Sequence, residues 1–199
     1  VSKIFYFLKE VFMRIISGTA KGTKLYTLDG IETRPTLDRV KESLFNIIKD
    51  EIDESSVLDL FSGSGAVGLE FASRGAKEVF LCDKSKKACT IIERNVEKTH
   101  LQNKIYIYNM DFISLIENIK GKVFDIVFLD PPYKLDLSIK ALEQISKSKL
   151  LNEEGIIIIE TDEPKRDLEE LDKSKLDYNM YDLRKYGRAS LIFLTERGT

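Results

Sequence analysis

Cysteine and histidine are nearly absent from this 199-residue chain, with two of the first and one of the second. Cys82 and Cys89 have neither metal-ligand spacing nor a companion set. A disulfide framework or zinc ribbon is therefore excluded, no metal is expected, and two reduced, partly buried thiols are. His100, near the end of a charge-rich helical stretch, is not expected to be catalytic. Long apolar runs are missing too, since no segment approaches the roughly twenty residues that a membrane span requires. Charge of one sign is also lacking: 31 Lys and Arg stand against 33 Asp and Glu, a net of −2, so global charge announces no nucleic-acid partner. No repeat, low-complexity tract or linker marks a second domain. With 43% hydrophobic residues, the chain suffices for one domain with a substantial core. It fits a small cytoplasmic enzyme, with a monomer as the default state.

Proline is scarce as well, and two of the four prolines are adjacent. Asp130-Pro131-Pro132-Tyr133 closes the apolar run from Val123 to Leu129, which reads as a buried strand. Two prolines lock a stiff, extended turn, because Pro132 forces Pro131 out of the helical region. Such a turn presents a carboxylate, an unpaired proline carbonyl and an aromatic face at one sheet edge. A flat base carrying an exocyclic amine needs that set: two acceptors for its N–H bonds and a ring to stack on. The plainer alternative is a connection that merely ends a strand.

Ser56 to Leu60 form another short strand, followed by Phe61-Ser-Gly63-Ser-Gly65-Ala-Val-Gly68 and a helical pattern through Arg74. Glycines at this spacing let the backbone turn tightly, approach a ligand and pack helix against strand. Asp83 follows the strand-like Glu78–Cys82 stretch, where an acid typically holds ribose hydroxyls. Read literally, the pattern also fits a dinucleotide fingerprint. Asp59 argues otherwise: a carboxylate beside the loop repels a diphosphate but welcomes the sulfonium and ammonium of S-adenosylmethionine. The proline turn, which offers nothing to hydride transfer, points the same way.

In order, Asp59-Leu-Phe61-Ser-Gly63-Ser-Gly65, Asp83, Asp111-Phe112 and Asp130-Pro-Pro-Tyr133 resemble the motifs of class I methyltransferases acting on exocyclic amines. The stretches from Met13 to Leu25 and from Thr33 to Ile47, with Lys185-Tyr-Gly-Arg-Ala-Ser190, are similar to the bacterial RsmD family. The resemblance runs from Met13 to about Thr195. It implies methyl transfer from S-adenosylmethionine to N2 of a guanine in 16S ribosomal RNA, within the assembled or assembling small subunit. It also implies site roles. Asp59, Phe61, Gly63 and Gly65 hold the methionine part, Asp83 the ribose, and Asp111 and Phe112 the adenine, with Thr36 and Arg39 closing over the cofactor. Asp130, Pro131, Pro132 and Tyr133 form the catalytic turn. Asp111 reads equally well as a cap of the helix that follows. Between Met13 and Lys41 six basic residues face three acids, and Arg14, Lys21, Lys24 and Arg34 are the candidate RNA contacts. A methyltransferase for adenine N6 or a protein glutamine, a non-catalytic RNA-binding module and an NAD-dependent oxidoreductase are the alternatives.

The expected fold class is α/β, a doubly wound, mainly parallel seven-stranded sheet. Strands are expected near 56–60, 78–82, 105–109, 124–129 and 155–160. They alternate with helices near 66–74, 85–99, 112–119, 136–147 and 164–172. Two closing strands, 177–184 and 189–195, should pair antiparallel. The resemblance implies the order 3-2-1-4-5-7-6. A hairpin-like segment (14–17 and 24–28) and a helix from about Thr36 to Asp50, capped by Thr36, form an extension over 13–50 of the single domain 13–199. Residues 1–12 are apolar but too short to span a membrane. They are expected to reflect an upstream start or a vector remnant, or else an amphipathic helix packed on the domain.

Overall fold

The computed structural model describes residues 13–28, 35–132 and 137–197, with the side chains of 35–38 excepted. Residues 1–12, the candidate RNA contact Arg34 and the candidate stacking ring Tyr133 lie outside the described residues, and so does the Thr36 side chain.

Seven strands form one sheet: β1 Ser56–Asp59, β2 Glu78–Cys82, β3 Ile105–Tyr108, β4 Phe124–Leu129, β5 Leu151–Thr161, β6 Tyr178–Tyr186 and β7 Ala189–Glu196. Their order is β3-β2-β1-β4-β5-β7-β6, with β7 antiparallel to both neighbours. The central strands are short and apolar because both faces are covered. On one face lie α1 Pro35–Ile47, α2 Ala66–Ser73 and α3 Lys86–Thr99. Val40, Leu44, Leu69, Phe71, Ile92 and Val96 from these helices pack there against Val57, Phe128 and Ile158. On the other lie α4 Phe112–Asn118, α5 Leu137–Ser148 and α6 Pro164–Ser174. Leu115, Ile116, Leu142 and Ile145 close that core over Leu58, Val127 and Ile157.

Helix α1 and strand β5 depart from expectation: α1 ends at Ile47, short of Asp50, and a separate 3₁₀ turn covers Lys49–Glu51. Helix α1 starts at Pro35, so Thr36 sits inside its first turn instead of capping it, and proline takes the position where its missing N–H costs nothing. Strand β5 begins at Leu151, four residues early, pairing Leu151 with Phe124 across a register shift. Asn152-Glu-Glu-Gly155 reads as a turn, but Gly155 admits the close pass: an added Cβ would lie 2.8 Å from Leu151.

The amino-terminal hairpin is held by buried polar groups. Arg14 and Lys24 form its one antiparallel bridge. The Glu70 carboxylate in α2, fully buried, accepts from the Ile16 amide (2.7 Å), the Ser17 amide (2.9 Å) and the Arg74 guanidinium (2.7 Å). Lys41 of α1 joins it at 3.3 Å and donates to the Arg14 carbonyl at 2.6 Å. Asn95 in α3 accepts from the Tyr26 amide (2.7 Å) and donates to the carbonyls of Tyr26 (3.0 Å) and Ser64 (2.9 Å).

Candidate active site

The residues that carry chemistry in the sequence converge at the carboxyl ends of β1, β2 and β4, on either side of the point where strand order reverses. The β1–α2 loop folds as the glycines require. Gly63 has φ +53° with open space where a Cβ would stand, and its amide donates to Asp83 Oδ2 at 2.9 Å. Gly68 lets α2 settle on the sheet, since an added Cβ would come within 2.2 Å of the Leu81 side chain. Gly65 caps α2 in a left-handed conformation and lines neither of the cavities described next, so it shapes the loop.

Two cavities adjoin here. The larger, about 690 Å³, lies between Asp83, Asp111 and Phe112 on one side and Asp130, Pro131 and Pro132 on the other. The smaller, about 170 Å³, runs beneath α1 between Met13, Lys41, Asp59 and Ser64. Phe61, Gly63, Asp130 and Glu160 border both. Phe61 and Phe112 pack with ring centroids 5.4 Å apart, an aromatic wall for a planar group. Asp83 Oδ1 accepts from the Ser85 amide at 2.8 Å, and each of its oxygens keeps a lone pair for a further donor.

Asp111 caps α4. Its Oδ1 accepts from the amides of Ile113 and Ser114, both at 3.1 Å, and its Oδ2 from the Ser114 hydroxyl at 2.6 Å. The Ser114 hydroxyl and amide bonds hold its pKa below the usual carboxylate range. The cap and the cavity wall are thus both true of Asp111.

Glu160 went unsingled in the sequence. It ends the run Ile156–Ile159 just as Asp59 ends β1, and the same strand-end criterion finds it. Register places Asp59 opposite Phe128, and Phe128 opposite Ile158. Asp59, Asp130 and Glu160 therefore project from the face that α1 covers, given the two-residue alternation of strands. Burial pushes the Asp59 carboxyl up to about 7, against a lowering bond from the Phe61 amide. Burial likewise lifts Glu160 to about 7. Asp130 is raised well above the normal range by burial first, then by Glu160 and Asp59. Among the described residues, no group of three His, Cys, Asp or Glu side chains is placed to hold a metal ion.

The remaining candidates separate. Arg39 is exposed and lines neither cavity; α1 presents Val40, Lys41 and Leu44 instead. Arg14, Lys21 and Lys24 are exposed on the hairpin, away from both cavities. Cys82 and Cys89 are free and buried, and burial pushes the Cys82 thiol up to about 12. His100 closes α3 as an exposed left-handed cap.

Residues 13–195 match the family model described as Conserved hypothetical protein 95. "Ribosomal RNA small subunit methyltransferase D" of Haemophilus influenzae is 35% identical over 157 residues, covering 77% of this chain and 80% of that protein. Its namesake from Escherichia coli K12 is 33% identical over 150 residues, covering 75% of each. The chain belongs to the RsmD family. The solved structure "Putative methyltransferase yhhF from Escherichia coli" matches this RsmD-family chain with a TM-score of 0.78 at 25% identity, covering 95% of this chain and 100% of that one. As an RsmD-family member the chain is an S-adenosylmethionine-dependent methyltransferase of class I, with the strand order of that fold. Among the described residues no helix is long and apolar enough to cross a membrane.

Proposed function

We propose that the chain transfers a methyl group from S-adenosylmethionine to the exocyclic N2 amine of a guanine in 16S ribosomal RNA. The observation that carries this reading is the set of three carboxylates, Asp59, Asp130 and Glu160, projecting from adjacent strand ends into adjoining cavities. Burial pushes all three upward, with repulsion from Glu160 and Asp59 added at Asp130 and from Asp83 added at Asp59, so the cavity disfavours added negative charge and favours cations. A dinucleotide diphosphate would aggravate that repulsion, whereas a sulfonium with an ammonium relieves it. The cofactor supplies an electrophilic methyl on a positively charged sulfur.

Asp59 attracts the ammonium, Asp83 accepts from the ribose hydroxyls, and Asp111 offers a remaining lone pair to the adenine amine beside Phe112 and Phe61. On the substrate side, the guanine amine is a weak nucleophile because its lone pair is delocalised into the ring. Asp130 and the Pro131 carbonyl accept its two hydrogens and favour a pyramidal nitrogen with the lone pair aimed at the methyl. Tyr133 stacks on the base. Positioning of this kind can supply ~7–11 kcal/mol of the barrier. Asp130 takes the proton lost from nitrogen, and Glu160 beside it spreads that proton over two carboxyl groups. The amine of a paired guanine is engaged, so the target base is unpaired or flipped. The substrate particle is the assembled or assembling small subunit in the cytoplasm, with the enzyme acting as a monomer.

Small subunits from a strain lacking the enzyme should accept label from S-adenosylmethionine and yield N2-methylguanosine at one site. Label appearing only in adenine, DNA or protein would discard the target. Asp130→Ala should keep cofactor affinity yet lose at least a hundredfold in transfer; near-wild-type turnover would remove Asp130 from the chemistry.

A further inference from the structure

The face of α3 that meets the amino-terminal hairpin is basic along its length. Lys87, Ile91, Arg94 and Lys98 recur at helical spacing on one stripe. With Lys24 and Tyr26 they border an open groove of about 490 Å³ whose lining, among the described residues, includes no acidic side chain. The Tyr26 ring is 40% exposed. The Arg94 guanidinium lies 4.0 Å from its centroid and the Lys98 ammonium 4.5 Å. Among the described residues, neither Arg94 nor Lys98 has a carboxylate within ion-pair distance. The acids of the helix, Glu93 and Glu97, occupy the adjacent stripe.

Two cations beside one ring repel each other, and the electron-rich ring face offsets only part of that repulsion. The cluster therefore keeps a strong demand for anions. Tyr26 also fixes two long side chains in advance, so a ligand need not order them. We propose that this groove binds backbone phosphates of the substrate RNA, a proposal that rests on the RNA-methyltransferase reading above. Lys87 and Lys98 stand eleven residues apart, ~16 Å along the helix axis. That length suits several successive phosphates better than a single anion. The path also connects: α3 begins at Lys86, directly after Asp83 and Lys84, which line the larger active-site cavity. RNA reaching the proline turn can thus continue along α3 to the hairpin. The groove at the β6–β7 turn fits less well. It mixes Lys165, Lys185 and Arg188 with Asp162 and Glu163, and Glu163 already holds Arg166 at 2.6 Å.

The test is the Arg94→Gln/Lys98→Gln double variant, whose two positions are exposed and should not disturb folding. Anisotropy of a labelled 16S fragment, followed from 50 to 200 mM salt, reads the contacts directly. Each lost phosphate contact on a single strand lowers the salt slope by ~0.7, so two should lower it by ~1.4 and weaken low-salt binding about tenfold. KM for RNA should rise with kcat and calorimetric cofactor affinity unchanged. Unchanged RNA affinity and slope would overturn the proposal. So would the loss appearing instead in Lys185→Gln/Arg188→Gln, or weaker binding to intact subunits alone, which would make the groove a contact for ribosomal protein. If wild-type protein neither binds nor methylates any RNA, the enzyme reading itself falls, an outcome distinct from a wild-type enzyme whose variant is unimpaired.

Discussion

Asp59 and Glu160 are carboxylates buried where charge is poorly solvated, and the sign of that perturbation has consequences for pH. Their folded-state pKa values, about 7, exceed the ordinary 3.8 and 4.5. Stability contributed by the protonated forms is fully present below about pH 4 and is lost as pH rises through 7. The cofactor-free protein should therefore melt at progressively lower temperature from pH 5 to pH 8. Glu160→Gln, which keeps the shape without the charge, should flatten part of that slope and raise Tm at pH 8; an unchanged profile in differential scanning fluorimetry would refute it. Affinity for S-adenosylmethionine should rise over the same interval, as the carboxylates ionise to meet its cations. Most of this site was legible residue by residue: Asp59, Asp83 and Asp130 stand out because each ends an apolar run. Glu160 obeys the same rule but sits in a strand that carries no motif. Asp111 shows the opposite limit, since a helix cap and a cavity wall use the same residue at the same place.

Among the elements, α2 depends most on a single internal charge. Glu70 gathers two backbone amides, an arginine and a lysine in a buried site, and it anchors the hairpin at Ile16 and Ser17, while Ser73 and Asn95 hold it at Ser17, Thr19, Ala20 and Tyr26. Removing one partner of a buried pair strands the others, at a cost of about 3–5 kcal/mol. Glu70→Ala should lower Tm by on the order of 10 °C and, because Met13 lines the smaller cavity, weaken cofactor binding as well. Thermal melts and calorimetry check both; a loss below 1 kcal/mol would show that the hairpin is anchored elsewhere. Nothing local in the sequence announces this contact, since Glu70 lies about fifty residues from the amides it holds. Elements whose signal is local were legible, from the alternating strands and helices to the closing hairpin. Two of the displaced boundaries have local causes of another kind: Pro35 fits inside a first helical turn, and a glycine passes for a turn where it is a close contact.

At the scale of the molecule, the doubly wound sheet follows from alternation of apolar runs with amphipathic helices, and the reversed β7 from two strands joined by a tight turn at Gly187. Net charge was the least informative quantity, because acids elsewhere cancel a basic surface that exists only once α3 meets the hairpin. One side chain spans the functional regions. Asn95 binds the Tyr26 backbone at the groove and the Ser64 carbonyl in the β1–α2 loop, so the two regions share a fastener. Any coupling that this contact carries between the two must be mutual. Saturating S-adenosylhomocysteine should tighten RNA binding, RNA should tighten the cofactor by an equal factor, and Asn95→Ala should bring that factor towards one. Positive coupling of this kind would make the enzyme hold its cofactor hardest when a target is in place.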